Sequence, residues 1–166
     1  NVYCQDTSVS WMDWTDEKKC GDILRFTRLL IQLRKNHPVF HRDRFFPEST
    51  EKDEQPEIAW FDRECKVPDW SLLNRFLAFR LKGSACTYDD GTTDNDFYIA
   101  SNSDIYDMTL ILPTLPRNKK WFVVADTSVA GPEGFAEEGN ELPLEGQQRY
   151  VLPAGGSVIL MSKEIG

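Results

Sequence analysis

Hydropathy along the chain predicts a mainly β protein, an antiparallel β-sandwich preceded by a single amphipathic helix. Three observations carry this prediction. From about residue 57 onward, apolar residues recur at every second position in short runs. Turn-forming residues separate those runs, with no helical pattern between them. Only the stretch 22–35 shows the three-to-four spacing of a helix. At 166 residues and 40% hydrophobic composition, the chain is long and apolar enough to bury a real core in one domain, or one domain with an attached element.

Taken in order, residues 1–21 read as an irregular polar segment containing tryptophan. Asp22 is the expected N-cap of a helix running to about Lys35. Ile23, Phe26, Leu30 and Leu33 fall at i, i+3, i+7 and i+10 on one stripe, with Leu24 and Ile31 on an adjoining one. So wide an apolar surface predicts a helix packed between two bodies. Asn36 is suited to cap its C-terminus, Pro38 stops it, and Arg34 and Lys35 complement the dipole there. Strands are expected at 57–62, 75–82, 97–102, 108–112, 121–126, 149–152 and 157–162. In the second of these, Leu77, Phe79 and Leu81 face one side and Phe76, Ala78 and Arg80 the other. Asp90-Gly91, Pro113 with Pro116, Gly131-Pro132 and Gly155-Gly156 supply turns. Residues 48–55 and 84–96 read as two solvated insertions, the first a mostly acidic loop and the second a Cys-, Thr- and Asp-rich hairpin extension. There is no internal repeat and no low-complexity tract.

Nineteen Lys and Arg against 27 Asp and Glu leave a formal charge of −8, which argues against a nucleic-acid or anionic-membrane partner. No apolar run approaches the length of a membrane span. The chain opens on Asn1 with no signal pattern behind it, and so reads as a processed chain or a fragment. Cys4, Cys20, Cys65 and Cys86 lack a close pair, so reduced, partly buried thiols are expected rather than a zinc site. His37 and His41 are four apart, but Pro38 between them removes a shared helical face; both are expected to be structural or surface residues, and no metal site is assigned. Phosphate-binding glycine loops, zinc-protease helices, nucleophile elbows and calcium loops are all missing. Asp6, Asp13 and Asp16 lie close together, yet in so acidic a chain solvated or capping roles are the default. Trp11 and Trp14, beside Tyr3, Gln5, Asp6 and Asp13, have the inventory of a sugar site, in which aromatic faces carry pyranose rings and polar groups hold hydroxyls. The competing expectation is that both indoles anchor their loop onto neighbouring structure. Trp60 and Trp121 sit inside strand patterns and are assigned to the core, while Trp70, in a loop, remains open.

Asn1-Val2-Tyr3-Cys4-Gln5-Asp6, followed by Ser10-Trp11-Met12-Asp13-Trp14, resembles a segment of isoamylase-type debranching enzymes of the α-amylase superfamily, with the bacterial glycogen debranching enzymes most alike. The stretch from Leu24 through Leu33-Arg34-Lys35-Asn36-His37-Pro38-Val39-Phe40, and then Arg42-Asp43-Arg44-Phe45-Phe46, is similar to the helix and exit that follow in that family. Ile58-Ala59-Trp60-Phe61 and Pro68-Asp69-Trp70 resemble its paired tryptophan landmarks. Trp121-Phe122-Val123-Val124-Ala125-Asp126-Thr127 and Leu152-Pro153-Ala154-Gly155-Gly156-Ser157-Val158-Ile159-Leu160 resemble its last strands. The chain departs from the pattern at Thr7, where the family has Asn, and in a longer 84–96 insertion that points towards a eukaryotic or algal member.

The resemblance implies a (β/α)₈ barrel followed by an all-β C-terminal domain. Residues 1–46 would be the end of the barrel, comprising a substrate-rim loop and the eighth helix, and 47–166 the C-terminal β domain. Tyr3, Gln5, Asp6, Trp11 and Trp14 would shape the glucan cleft at the barrel rim. The family's catalytic carboxylates come from earlier barrel strands, upstream of Asn1, so no catalytic residue is assigned and this chain alone is expected to be inactive. The implied whole protein hydrolyses α-1,6 branch points of starch or glycogen, by a retaining mechanism and without a cofactor. Its implied partners are branched α-glucan (amylopectin or glycogen), the preceding barrel, and a homo- or hetero-oligomer. The implied compartment is the plastid stroma or the bacterial cytoplasm. The alternative is a non-catalytic glucan-binding or scaffold module.

Overall fold

The computed structural model describes residues 4–11, 13–47, 56–70 and 74–165. A short 3₁₀ helix, Trp14–Lys18, leads into α1, Gly21–Asn36. Eight strands follow: β1 Ile58–Phe61, β2 Phe76–Leu81, β3 Phe97–Asn102, β4 Met108–Ile111, β5 Lys119–Asp126, β6 Leu142–Pro143, β7 Arg149–Leu152 and β8 Ser157–Glu164. They form a six-stranded sheet in the order β1-β2-β3-β8-β5-β6 and a two-stranded sheet of β4 and β7. Every pairing is antiparallel. The mainly β sandwich behind one helix is therefore the architecture observed. β6 escapes prediction because two residues, one of them proline, give no alternation to read.

The period of two sends alternate side chains to opposite faces of the large sheet. On one face, Phe76, Ala78, Tyr98, Ala100, Trp121, Val158 and Leu160 pack against Leu110 of β4 and Leu152 of β7. On the other, Leu81, Phe97, Val124, Ala125 and Met161 meet Phe26, Leu29 and Leu33 of α1, with Val39 and Phe40 beyond its end. Consecutive Val124 and Ala125 share this second face because the β5–β8 register shifts between Val123 and Ala125, a bulge that resets the alternation. Asn102, fully buried, ties the two sheets together: its amide nitrogen donates to the Tyr106 carbonyl at 2.8 Å and the Pro153 carbonyl at 3.1 Å.

Three features of the helical region differ from expectation. The N-cap of α1 is Cys20, which makes no side-chain capping bond; Asp22 lies instead in the first turn, where its charge complements the dipole. The C-cap is His37, and Asn36, the last helical residue, donates from its amide to Glu138 Oε2 at 2.6 Å. The packed stripe is Phe26, Leu29 and Leu33, whereas Ile23, Leu30 and Ile31 are exposed. One side of α1 thus meets the sheet, and among the described residues nothing covers the other.

The 84–96 segment is also more than a solvated insertion. Asp94 is buried, and its carboxylate accepts from His37 Nδ1 at 2.7 Å, from the Val39 amide at 3.1 Å and from the Tyr88 hydroxyl at 2.9 Å. Burial opposes ionisation of Asp94, but the bonds from His37 and Val39 outweigh it and hold the carboxyl below its usual range. Gly83 starts this clamp where no side chain fits, since a Cβ there would lie 2.1 Å from the Asn95 carbonyl oxygen. The acidic loop expected at 48–55 lies outside the described residues.

Candidate functional site

The N-terminal loop is built by local hydrogen bonding. The amides of Ser10 and Trp11 both donate to the Thr7 carbonyl, at 2.9 and 3.1 Å. Ser10 Oγ donates to the Gln5 carbonyl at 2.6 Å and closes the turn. This folding returns Trp11 to Asp6, whose Oδ1 accepts the indole N–H at 2.5 Å. Asp13 caps the following 3₁₀ helix, accepting from the Thr15 amide at 2.9 Å and its hydroxyl at 2.6 Å, and these bonds lower its pKa. Asp16 pairs with Lys19 at 2.7 Å, so these two carboxylates have local structural partners.

Of the residues singled out from sequence, Asp6 and Trp11 are brought into contact. The side chains of Gln5 and Trp14 make no hydrogen bond to them, and Tyr3 lies outside the described residues. Trp11 and Trp14 are 63% and 77% exposed, too open to be anchoring the loop onto the β-domain. Both indoles are exposed within this chain, and the bond to Asp6 sets the rotation of the Trp11 ring.

A second aromatic constellation lies on the β-domain, where the sequence reading had placed Trp60 in the core. Trp60 is 39% exposed instead. β1 is an edge strand of the large sheet, and among the described residues no strand pairs with its outer side. The Trp60 ring rests 5.2 Å from that of Phe79 on β2 and 5.7 Å from that of Trp70, which meets it at 73°. Trp70 is itself 64% exposed.

Its loop is aimed by the turn after β1, in which Asp62 Oδ1 accepts the amides of Glu64 and Lys66, each at 2.8 Å, and Cys65 takes a positive φ of 60°. An open groove of about 830 Å³ runs between β1, this loop, and Pro113 with Thr114. Arg80 of β2 also lines it, only 8% exposed, with its Nε lacking any hydrogen-bond partner. Burial pushes the neighbouring Cys65 thiol up, against the opposing influence of Arg80. Alternation alone could not reveal this site, because it gives the face of a residue and not whether its strand lies at a sheet edge.

The histidines divide. His37 is buried on Asp94 and stacks edge-on against Phe97 at 4.7 Å, while His41 is exposed. Among the described residues no three His, Cys, Asp or Glu side chains gather as a metal site. The four thiols are free, Cys4 and Cys20 at the surface and Cys65 and Cys86 half-buried. No helix of the described residues is long and apolar enough to cross a membrane.

Comparison with known proteins bears on the whole of this architecture. The family model for the C-terminal domain of isoamylases 1–3 matches residues 59–153. A glycogen operon protein GlgX homolog of Mycobacterium tuberculosis is 37% identical over 138 residues, covering 77% of this chain and 19% of that protein. The chloroplastic isoamylase 3 of Oryza sativa subsp. japonica is 27% identical, over 98% of this chain and 18% of its own length. The chain thus spans about a fifth of the length of the curated relatives it matches. Among solved structures, a pullulanase from Bacillus acidopullulyticus superposes with a TM-score of 0.60 over 97% of this chain and 16% of that one, at 20% identity. Pullulanase type I from Bacillus subtilis str. 168, complexed with maltose, gives 0.57 over 93% and 17%, also at 20% identity. At that identity the two pullulanases speak for the fold.

Proposed function

The chain belongs to the isoamylase family, matching its C-terminal domain, and from that premise we propose that it is the C-terminal part of a debranching hydrolase acting on α-1,6 branch points of starch or glycogen. The family match over residues 59–153 carries the reading. The catalytic carboxylates belong to a barrel segment outside these 166 residues, where two carboxyl groups flanking the bond perform the retaining displacement. Residues 1–46 are the end of that barrel and 47–166 the β domain behind it. The open apolar side of α1, with Ile23, Leu30 and Ile31, supports this division, because such a face calls for a second body to cover it.

In this reading the chain's own residues hold and orient glucan. Asp6 fixes the Trp11 indole through its N–H, so that the ring face is preset for a pyranose. Trp14 offers a second exposed face, and Gln5 and Tyr3 supply polar groups for hydroxyls. The proposed partners are branched α-glucan, the preceding barrel, and further copies or related subunits in an oligomer. The proposed compartment is plastid stroma or bacterial cytoplasm, in keeping with chloroplastic and bacterial relatives.

The test compares the purified 166-residue chain with a protein in which it follows an isoamylase barrel, measuring reducing ends released from amylopectin. The chain alone is expected to release none, and the barrel-bearing protein to do so. Release by the chain alone, or none by the longer protein, would overturn the proposal. In the active protein, Trp11→Ala is expected to lower kcat/KM for amylopectin about tenfold.

A further inference from the structure

The hydroxyl of Ser10 does more than close a turn. It accepts the Thr7 amide at 3.2 Å and donates to the Gln5 carbonyl at 2.6 Å, with the Thr7 carbonyl also within reach at 2.8 Å. The Gln5 carbonyl and the Thr7 amide belong to the two peptide groups on either side of Asp6. One oxygen atom therefore holds the backbone before and after the residue whose carboxylate accepts the Trp11 indole N–H. Ser10 is also joined directly to Trp11, whose own amide is fixed on the Thr7 carbonyl at 3.1 Å.

We infer that Ser10 is a positioning residue for Trp11, acting through Asp6, and that it sets affinity for the glucan rather than the rate of bond cleavage. The inference rests on the reading of Trp11 as a platform for a pyranose, and adds the residue that makes this platform rigid.

The chemistry at position 10 is specific. A hydroxyl donates and accepts from a single atom, and serine carries it one bond beyond Cβ, short enough to grip the chain just behind it. Ser8 lies in the same turn, yet its side chain makes no hydrogen bond among the described residues. Asp6 depends on this grip. Its side chain is exposed, and among the described residues the Trp11 indole is the one hydrogen-bond partner of its carboxylate. Releasing the two peptide groups that flank Asp6 removes the frame that carboxylate and indole share.

The consequence falls on binding. A side chain that is free before a ligand arrives loses rotational freedom when it is held, and a ring already fixed avoids that loss. A platform that touches sugar away from the reacting bond contributes equally to the bound ground state and to the transition state. Weakening such a contact raises KM and leaves kcat in place.

In the barrel-bearing protein, Ser10→Ala is expected to raise KM for amylopectin about fivefold while kcat stays within about twofold. Ser10→Thr, which keeps the hydroxyl, should restore KM, and Ser8→Ala should not change it. With Trp11→Ala already present, Ser10→Ala should add nothing, because the two residues act as one unit. The 166-residue chain gives a readout without catalysis. Its Trp11 indole N–H resonance, assigned by its disappearance in Trp11→Ala, should move upfield in Ser10→Ala as the bond to Asp6 is lost, with the Trp60 and Trp121 resonances in place. An unmoved Trp11 resonance, a fall in kcat at constant KM, an effect additive with Trp11→Ala, or an equal loss in Ser8→Ala would overturn the inference. A silent Ser10→Ala beside a damaging Trp11→Ala overturns this inference alone. Trp11→Ala without effect on KM overturns the platform reading, and this inference with it.

Discussion

The centre of the β-domain and the N-terminal limb use the same apolar residue types with opposite results. Around β5 and β8, Trp121 is sealed between the two sheets, its indole N–H donating to the Pro113 carbonyl at 3.1 Å, and Leu160 and Val158 are equally enclosed. In the limb, Trp11 and Trp14 stand in solvent, and α1, for all its leucine and isoleucine, contains no buried residue. The difference is one of layers. A strand in mid-sheet has neighbours on both sides and a layer on each face, all supplied by this chain. The limb has a layer on one side only, so it finishes a core face of the sheet without possessing a core of its own. Burial therefore reports where this chain is self-sufficient and where it presents surface.

Four perturbations test that contrast, from the largest expected effect to the smallest. Trp121→Ala should cost about 3–5 kcal/mol in urea unfolding, by opening a cavity between the sheets and stranding the Pro113 carbonyl. A loss below 1 kcal/mol would mean that the core relaxes freely around this residue.

Asp94→Ala comes next. It strands the donors of His37, Tyr88 and Val39 and should cost about 2–3 kcal/mol. Amide hydrogen exchange should then rise in α1 before it rises in β5 and β8. The same residue sets an acid limit. Its pKa is lowered in the fold, so its contribution is fully present above the unfolded value near about 4 and is lost as pH falls through the lower folded value. Asp94→Asn should flatten that acid limb of stability against pH, and an unchanged limb would assign acid sensitivity elsewhere.

Ile31→Lys, on the open side of α1, should change the stability of this chain by no more than about 0.5 kcal/mol. In the barrel-bearing protein the same change should be strongly destabilising, and equal effects in both would show that no second body covers that face. Trp11→Ala should be the mildest for folding, again within about 0.5 kcal/mol. A large shift in its thermal midpoint would show the indole to be a structural anchor after all.

The sequence made the strands legible because alternation is a direct record of a two-faced sheet. Phe97–Asn102 and Arg149–Leu152 were predicted to the residue. The helix was legible too, but not its packed stripe: with apolar residues at 23, 24, 26, 29, 30, 31 and 33, many stripes are possible, and only docking on Phe135 and Phe97 selects Phe26, Leu29 and Leu33. In the N-terminal loop, the sequence signalled Asp6 and Trp11 by composition, and the structure joined them through a turn closed by Ser10. The groove was half visible. Trp70 was marked as undecided, but its meeting with Trp60 depends on a loop whose geometry rests on Asp62 and a positive φ at Cys65. Asp94 was hidden altogether, since a carboxylate in a polar stretch reads as solvated unless the partner 57 positions away is known.

What the sequence determined by itself is therefore local and periodic: one helix, antiparallel strands, the turns between them, and through quoted motifs the family to which the chain belongs. These follow from backbone stereochemistry and from side chains a few positions apart, which a linear string records. Strand order, the edge position of β1, the clamp of His37 on Asp94 and the corner formed by Trp60 and Trp70 were decided only in the tertiary structure. Each depends on contacts between residues distant in sequence, whose pairing minimises exposed apolar area and unpaired polar groups over the whole fold and leaves no periodic trace in the chain.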